Sequence, residues 1–249
     1  MDGTKREFEK TYENEVGRDA YKARYDFETI RQSELTTEHA EPVIAEAHFV
    51  NVAFVDLDGN PQCIPMVAAI VETPAGLEVY LHGYHRARLV RLVPPETRVC
   101  ITATLMDGIV LALSAFNSSI NHRSAVLHGQ VGEWSEGEAG EKERWEASRA
   151  IVEGVMPGRW DGCRAPSPAE MTTTGFVKVK IHSASAKIRS GEPGEERRDE
   201  KDEELRSRVW AGVIPVRAAY GTPEPSRFNR VPLPDYIQTS IVRGGALSN

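Results

Sequence analysis

The stretch from Val79 to Gly129 constrains the fold most, because it sets strand-like runs against sharp turns with little chain between them. Val79 and Leu81 alternate with Tyr80 and His82, the period of a strand that buries one face. Gly83 breaks the run, and Tyr84 to Arg88 is read as the opening of a short basic helix with Leu89, Leu92 and Val93 on one face. Two arginines and a histidine at that point, His85 among them, suit a phosphate. From Thr97 to Met106 the alternation returns, with Val99, Ile101, Ala103 and Leu105 on one side and Cys100, Thr102 and Thr104 on the other. Asp107-Gly108 is a hairpin signal leading into Ile109 to Leu113. A polar loop from Ser118 to Ser124 follows, and Ala125 to Val131 reads as the next strand. Runs so closely joined leave no room for helical crossovers, so the predicted sheet is antiparallel.

The flanking chain extends this pattern. Phe49 to Val55 and Gln62 to Ala68 bracket an Asp58-Gly59 turn, which predicts a first hairpin. Pro65 cannot donate to a ladder, so its strand belongs at an edge, a bulge or a barrel opening. Leu77 to His82 is then the third strand. Short helices are expected from Pro42 to His48, from Glu138 to Val152 as a solvated face, and from the capping box Ser167-Pro168-Ala169-Glu170. Phe176 to Ile181 alternates as a late strand, and Trp210 to Val216 is β-prone. Residues 1–30 read as a charged arm with interspersed aromatics. Residues 31–190 read as the barrel, and 191–249 as a charged linker and proline-rich tail wrapping the same domain. The class is mainly β (α+β): one antiparallel barrel with peripheral helices and a C-terminal extension.

Composition narrows the function. Forty per cent hydrophobic residues can build a core, and 30 basic against 37 acidic residues, net −7, argues against nucleic acid as a partner. Cys63 and Cys100 lie in apolar runs and are expected as buried free thiols, with Cys163 apart; this suits a reducing compartment. The charged start MDGTKREFEK lacks the apolar run of a signal peptide, and no window has the length of a membrane span, so a cytoplasmic protein without membrane contact is expected. There is no G-x-G-x-x-G after a strand, no G-x-x-x-x-G-K, no H-E-x-x-H and no G-x-S-x-G. His82 and His85 have the spacing of a metal pair but no matching ligand set nearby, so no metal is assigned.

Two motifs carry a family resemblance. His82-Gly83-x-x-x-x-Arg88-Leu89 and Ser119-x-Asn121-x-Arg123-Ser124-x-x-x-x-Gly129 together resemble the split-barrel flavin-nucleotide-binding proteins. That group is related to pyridoxamine 5′-phosphate oxidase and includes the nitroimidazole-resistance type. The resemblance implies a split β-barrel that binds FMN. It places Arg88 on the FMN phosphate and His82 near the flavin or its substrate. Ser119, Asn121, Arg123 and Ser124 would hold the phosphate and ribityl chain. Trp210 follows by analogy with an aromatic over the cofactor edge, while Thr102 and Thr104 are inferred from strand alternation beside the arginine-bearing turn. Ala87 departs from the serine or glycine that relatives often carry. His122 departs from their usual tyrosine and is a candidate proton donor.

The resemblance further implies an FMN-dependent oxidoreductase, with hydride or two-electron transfer between flavin and NAD(P)H or a small organic substrate. It also implies a two-fold homodimer. Two alternatives stay open: a haem-binding or haem-degrading barrel with a histidine on iron, and a flavin-free barrel using His82, His85 and His122 as acids and bases.

Overall fold

The computed structural model describes residues 33–243, and the arm expected over residues 1–30 lies outside them. Helix α1 (Ser33–Glu46) comes first and starts well before the expected Pro42, which sits inside it. Pro42 cannot donate its helical hydrogen bond, but Ala40, Val43 and Ile44 fall on one face and are buried in the core, which offsets the loss.

Strands β1 (Val50–Val55) and β2 (Pro61–Met66) form the predicted hairpin, paired from Val50↔Met66 to Val55↔Pro61. The Asp56 carboxylate accepts from the Asp58 and Asn60 amides at 3.1 and 2.8 Å, and Gly59 takes φ +83°. The return run does not end there: β3 (Ala68–Thr73) is a strand of its own, so the next, β4 (Gly76–Tyr84), is the fourth and not the third. The sheet order is β2-β1-β5 (Arg98–Leu111)-β6 (Ser119–Gly132)-β7 (Thr174–Arg189)-β4-β3, with β8 (Gly212–Pro215) on β5, and the β1–β2, β1–β5, β3–β4, β4–β7 and β5–β8 pairs are antiparallel. Its end strands β2 and β3 are consecutive in the chain, with Val67 alone between them. Met66 and Ala68 therefore lie within about 7 Å of each other. This chain link joins the two end strands of the sheet, as a split barrel requires, and Pro65 lies on an end strand, where its missing N–H is tolerated.

Two expected turns are absent. β5 (Arg98–Leu111) runs straight through Asp107-Gly108, and β6 (Ser119–Gly132) absorbs most of the expected polar loop. Gly83 likewise continues β4, paired with Gly175, and the basic helix shrinks to α2 (Arg88–Leu92), which has no side-chain cap. The remaining elements are α3 (Gly137–Val155), α4 (Pro168–Thr173), β7 (Thr174–Arg189), α5 (Arg197–Glu200), α6 (Glu203–Arg208), β8 (Gly212–Pro215) and α7 (Asp235–Arg243). The capping box of α4 forms in both halves.

The described residues divide into two compact units. The first holds Met106–Arg123 and Lys187–Val216; the second holds residues 33–105, Ser124–Ala186 and 217–243. In the second, Val52, Val79, Leu81, Ile101, Leu127 and Val179 are fully buried. Cys63 is exposed and Cys100 half-buried, against expectation. Both pair with Ala53 across β1, on the face opposite Val52 and Ile101, so they sit outside the core. Among the described residues no helix is long and apolar enough to cross a membrane.

Candidate functional site

In the second unit, α3 packs on β3 and β4 and covers the sheet face opposite the core. Glu78, Tyr80 and His82 alternate with buried Val79 and Leu81, and stand opposite Lys180, Lys178 and Phe176 of β7. At one end this layer is a polar network. Lys178, 8% exposed, donates to Glu143 of α3 at 3.0 Å and lies over the Trp134 ring at 5.0 Å. Tyr80 donates to Glu78 at 2.8 Å, and burial first, then Glu78, raises its phenol above the ordinary range.

At the other end the layer opens into a cavity of about 580 Å³, the size of a small-molecule or cofactor site. Ser148, Ile151, Val152 and Val155 line it from one face of α3, at helical spacing. His82 of β4 and Phe176 of β7 form the floor as cross-strand partners. Its mouth holds Arg159, Cys163 and Arg164 from the loop after α3, with Glu170 and Met171 of α4.

His82 is the unsettled group. Its Nδ1 is buried without a hydrogen-bond partner, and burial pushes the imidazole below its ordinary 6.5. Burial thus favours the neutral ring and leaves Nδ1 uncommitted, and a neutral imidazole can ligate a metal or exchange a proton.

The mouth, by contrast, is tightly built. Glu153 accepts from the Gly158 and Trp160 amides, both at 2.7 Å, and so fixes the backbone on either side of Arg159. Trp160 packs edge-on against Trp145 of α3, centroids 5.3 Å apart. Arg164 grips Glu170 through both terminal nitrogens at 2.8 and 2.6 Å, and Glu170 closes the α4 capping box through the Ser167 amide. The Arg164 bonds first, then Ser167, bring the Glu170 carboxyl down to about 2. Arg159 donates instead to the Tyr236 hydroxyl of α7, at 3.1 Å.

The candidate residues fall in both units. In the second, His85 Nδ1 lies 3.0 Å from the Thr173 carbonyl oxygen. Exposed Arg88 donates to Gln62 at 2.8 Å, and Gln62 donates to Asp56 at 2.8 Å. Thr102 pairs with Asn51 and shares the outer face of β5 with exposed Thr104. Ser124 is half-buried on β6. The first unit holds Ser119, Asn121, His122, Arg123 and Trp210. Asn121 is buried, donates to the Gly191 carbonyl and accepts from Arg189. Arg123 clasps Asp107 through Nε and Nη2 at 3.0 and 2.9 Å. His122 Nδ1 lies 3.4 Å from the Ile120 carbonyl oxygen, and Trp210 is exposed. Being a strand, β6 sends Asn121 and Arg123 to one face and His122 and Ser124 to the other.

A model of the family described as pyridoxamine 5′-phosphate oxidase matches residues 36–188, well over half of the chain. The chain belongs to the pyridoxamine 5′-phosphate oxidase family. The FAD and haem binding protein from Mycobacterium smegmatis is a family-like structure with 26% identity and a TM-score of 0.71, over 85% of this chain and 97% of its own. The flavocytochrome Anf3 from Azotobacter vinelandii has 30% identity and a TM-score of 0.68, over 81% of this chain and 88% of its own. A candidate 5-nitroimidazole antibiotic resistance protein from Bacteroides thetaiotaomicron, at 22% identity and a TM-score of 0.50, shares the fold over 66% of this chain and 87% of its own. No curated protein matches.

Sequence reasoning singled out His82 by its motif but not the cavity that it lines. Glu170 was visible as a helix cap and not as a partner of Arg164. Glu153, Arg159, Cys163 and Tyr236 carried no signal, since their meaning comes from a loop and a distant helix folding against α3.

Proposed function

We propose that the chain is a flavin-binding redox protein that also holds a haem, with His82 as the iron ligand. The observation that carries the haem half is the neutral, uncommitted His82 imidazole in a cavity walled by Ile151, Val152, Val155, Met171 and Phe176. This donor set fits the group: one nitrogen ligand, apolar walls and guanidinium groups at the mouth. The family and the two haem- and flavin-containing relatives support the same reading.

The flavin half rests on the family and on Arg88. Its guanidinium is held toward Gln62 by one N–H, and among the described residues its other donors have no partner, which suits a phosphate. FMN is the flavin proposed, with FAD tested beside it because the M. smegmatis relative is an FAD and haem binding protein. When bound, flavin supplies two-electron chemistry and haem one-electron chemistry. The chain's own part is to keep His82 unprotonated, exclude water through the α3 face, and orient the anionic ends of its ligands. A homodimer and a small-molecule or NAD(P)H donor complete the proposal.

The experiment is reconstitution of the purified protein with haem and with each flavin, read by absorbance. A Soret band lost in His82→Ala, and flavin binding weakened about tenfold or more in Arg88→Ala, are the expected results. Flavin binding without any Soret band leaves an FMN- or FAD-dependent oxidoreductase alone, with His82 free for proton transfer. Neither ligand binding overturns the proposal.

A further inference from the structure

Two arginines stand at the cavity mouth, and they are in different states. Arg164 is neutralised by Glu170 through two short hydrogen bonds. Arg159 has no carboxylate partner among the described residues; its hydrogen bond goes to the Tyr236 hydroxyl. An arginine given a neutral acceptor keeps its full charge and most of its donors for something else. The Tyr236 oxygen accepts from Arg159, so its own hydrogen is left to donate. Side by side, the guanidinium and the hydroxyl make a two-pronged donor for an oxyanion.

Considerable structure goes into holding that arrangement. Glu153 fixes the amides on both sides of Arg159 at 2.7 Å. The Tyr236 ring lies against Gly158 and Gly162, where a Cβ would come within 3.1 Å of the Tyr236 Cβ and 2.7 Å of its hydroxyl oxygen. Gly158 also has φ +83°, which disfavours any side chain there. The loop can therefore accept the tyrosine only as it is. Tyr236 belongs to α7, and its neighbour Ile237 is half-buried, so the C-terminal helix is docked and not trailing.

We propose that the ligand of the His82 cavity carries a carboxylate that Arg159 and Tyr236 bind together at the mouth, so that the C-terminal helix is part of the binding site. This rests on the haem reading, in which the carboxylate is a propionate. Tyr236 acts as the positioning residue that aims Arg159 and adds a second donor.

The test uses the full chain and two probes: haem, and haem dimethyl ester, whose carboxylates are masked. Titrations compare the wild type with Tyr236→Phe and Arg159→Gln. Tyr236→Phe keeps the ring on its glycines and removes only the hydroxyl. The wild type should bind haem about tenfold more tightly than the ester, and each variant should lose about that factor for haem while leaving the ester unchanged. Variants that bind both probes like the wild type, or lose both by the same factor, overturn the carboxylate site while leaving haem binding at His82 intact. A wild type that binds neither probe removes the haem reading, and this inference falls with it.

Discussion

His82 shows how a single residue takes its chemistry from its place in the fold. Burial holds its folded pKa below the ordinary 6.5, so on acidification the unfolded chain takes up a proton first. The stability tied to a neutral His82 is full above 6.5 and declines as pH falls from 6.5 toward the lower folded value. His82→Leu should therefore show a shallower fall in Tm between pH 7 and 5 than the wild type; equal slopes would mean the ring is not buried as described. Glu170 responds in the same direction at lower pH. Its carboxyl sits near 2 against an ordinary 4.5, so its contribution is complete above 4.5 and is lost as pH drops toward 2. Glu170→Gln should flatten the melting curve across that window, since the amide cannot titrate. At this scale local chemistry was readable: His82 stood out in its motif, and Glu170 in its capping box. The Arg159–Tyr236 bond was not, because 77 positions separate the two and neither sits in a pattern.

At the scale of elements, alternation was the dependable signal and the two-residue turn was not. Val99, Ile101 and Ala103 are buried as their period required. Asp107-Gly108 has the composition of a hairpin, yet β5 passes through it because tertiary partners claim both residues. Asp107 is clasped by Arg123, and Gly108 pairs with Pro215 of β8. A Cβ at Gly108 would meet Val213 Cγ1 at 3.0 Å and the Ile214 carbonyl oxygen at 3.2 Å. Glycine serves there as the close approach for β8. Gly108→Ala should cost about 1–3 kcal/mol. Hydrogen exchange should localise the loss, with the amides of residues 212–214 opening sooner and those of β1 to β4 unchanged. The segment after Ser118 was misread for a related reason: polar residues paired within a sheet look, in sequence alone, like a loop.

For the whole molecule, antiparallel closure followed from many short strands and tight turns, even though β3 was counted as part of its neighbour. What the composition did not convey is how α3 is fastened to the barrel. Its charges look like a solvated face, but Glu143 reaches Lys178, which is 8% exposed, and Glu153 anchors the cavity loop. Bonds from Ser135 first, and from Lys178, hold the Glu143 carboxyl below its ordinary value, consistent with a carboxylate at that position. Glu143→Gln removes the charge and leaves a buried ammonium facing an amide and the Trp134 ring. Such a loss should cost about 1–3 kcal/mol, seen as a lower Tm. Because α3 carries one wall of the His82 cavity, the proposed haem binding should weaken in the same variant. Replacing both partners, as Glu143→Gln with Lys178→Met, removes the stranded charge and should recover part of the stability. A double variant no more stable than Glu143→Gln would mean that the fastening of α3 lies in its apolar face, through Ala147 and Ile151, and not in the ion pair.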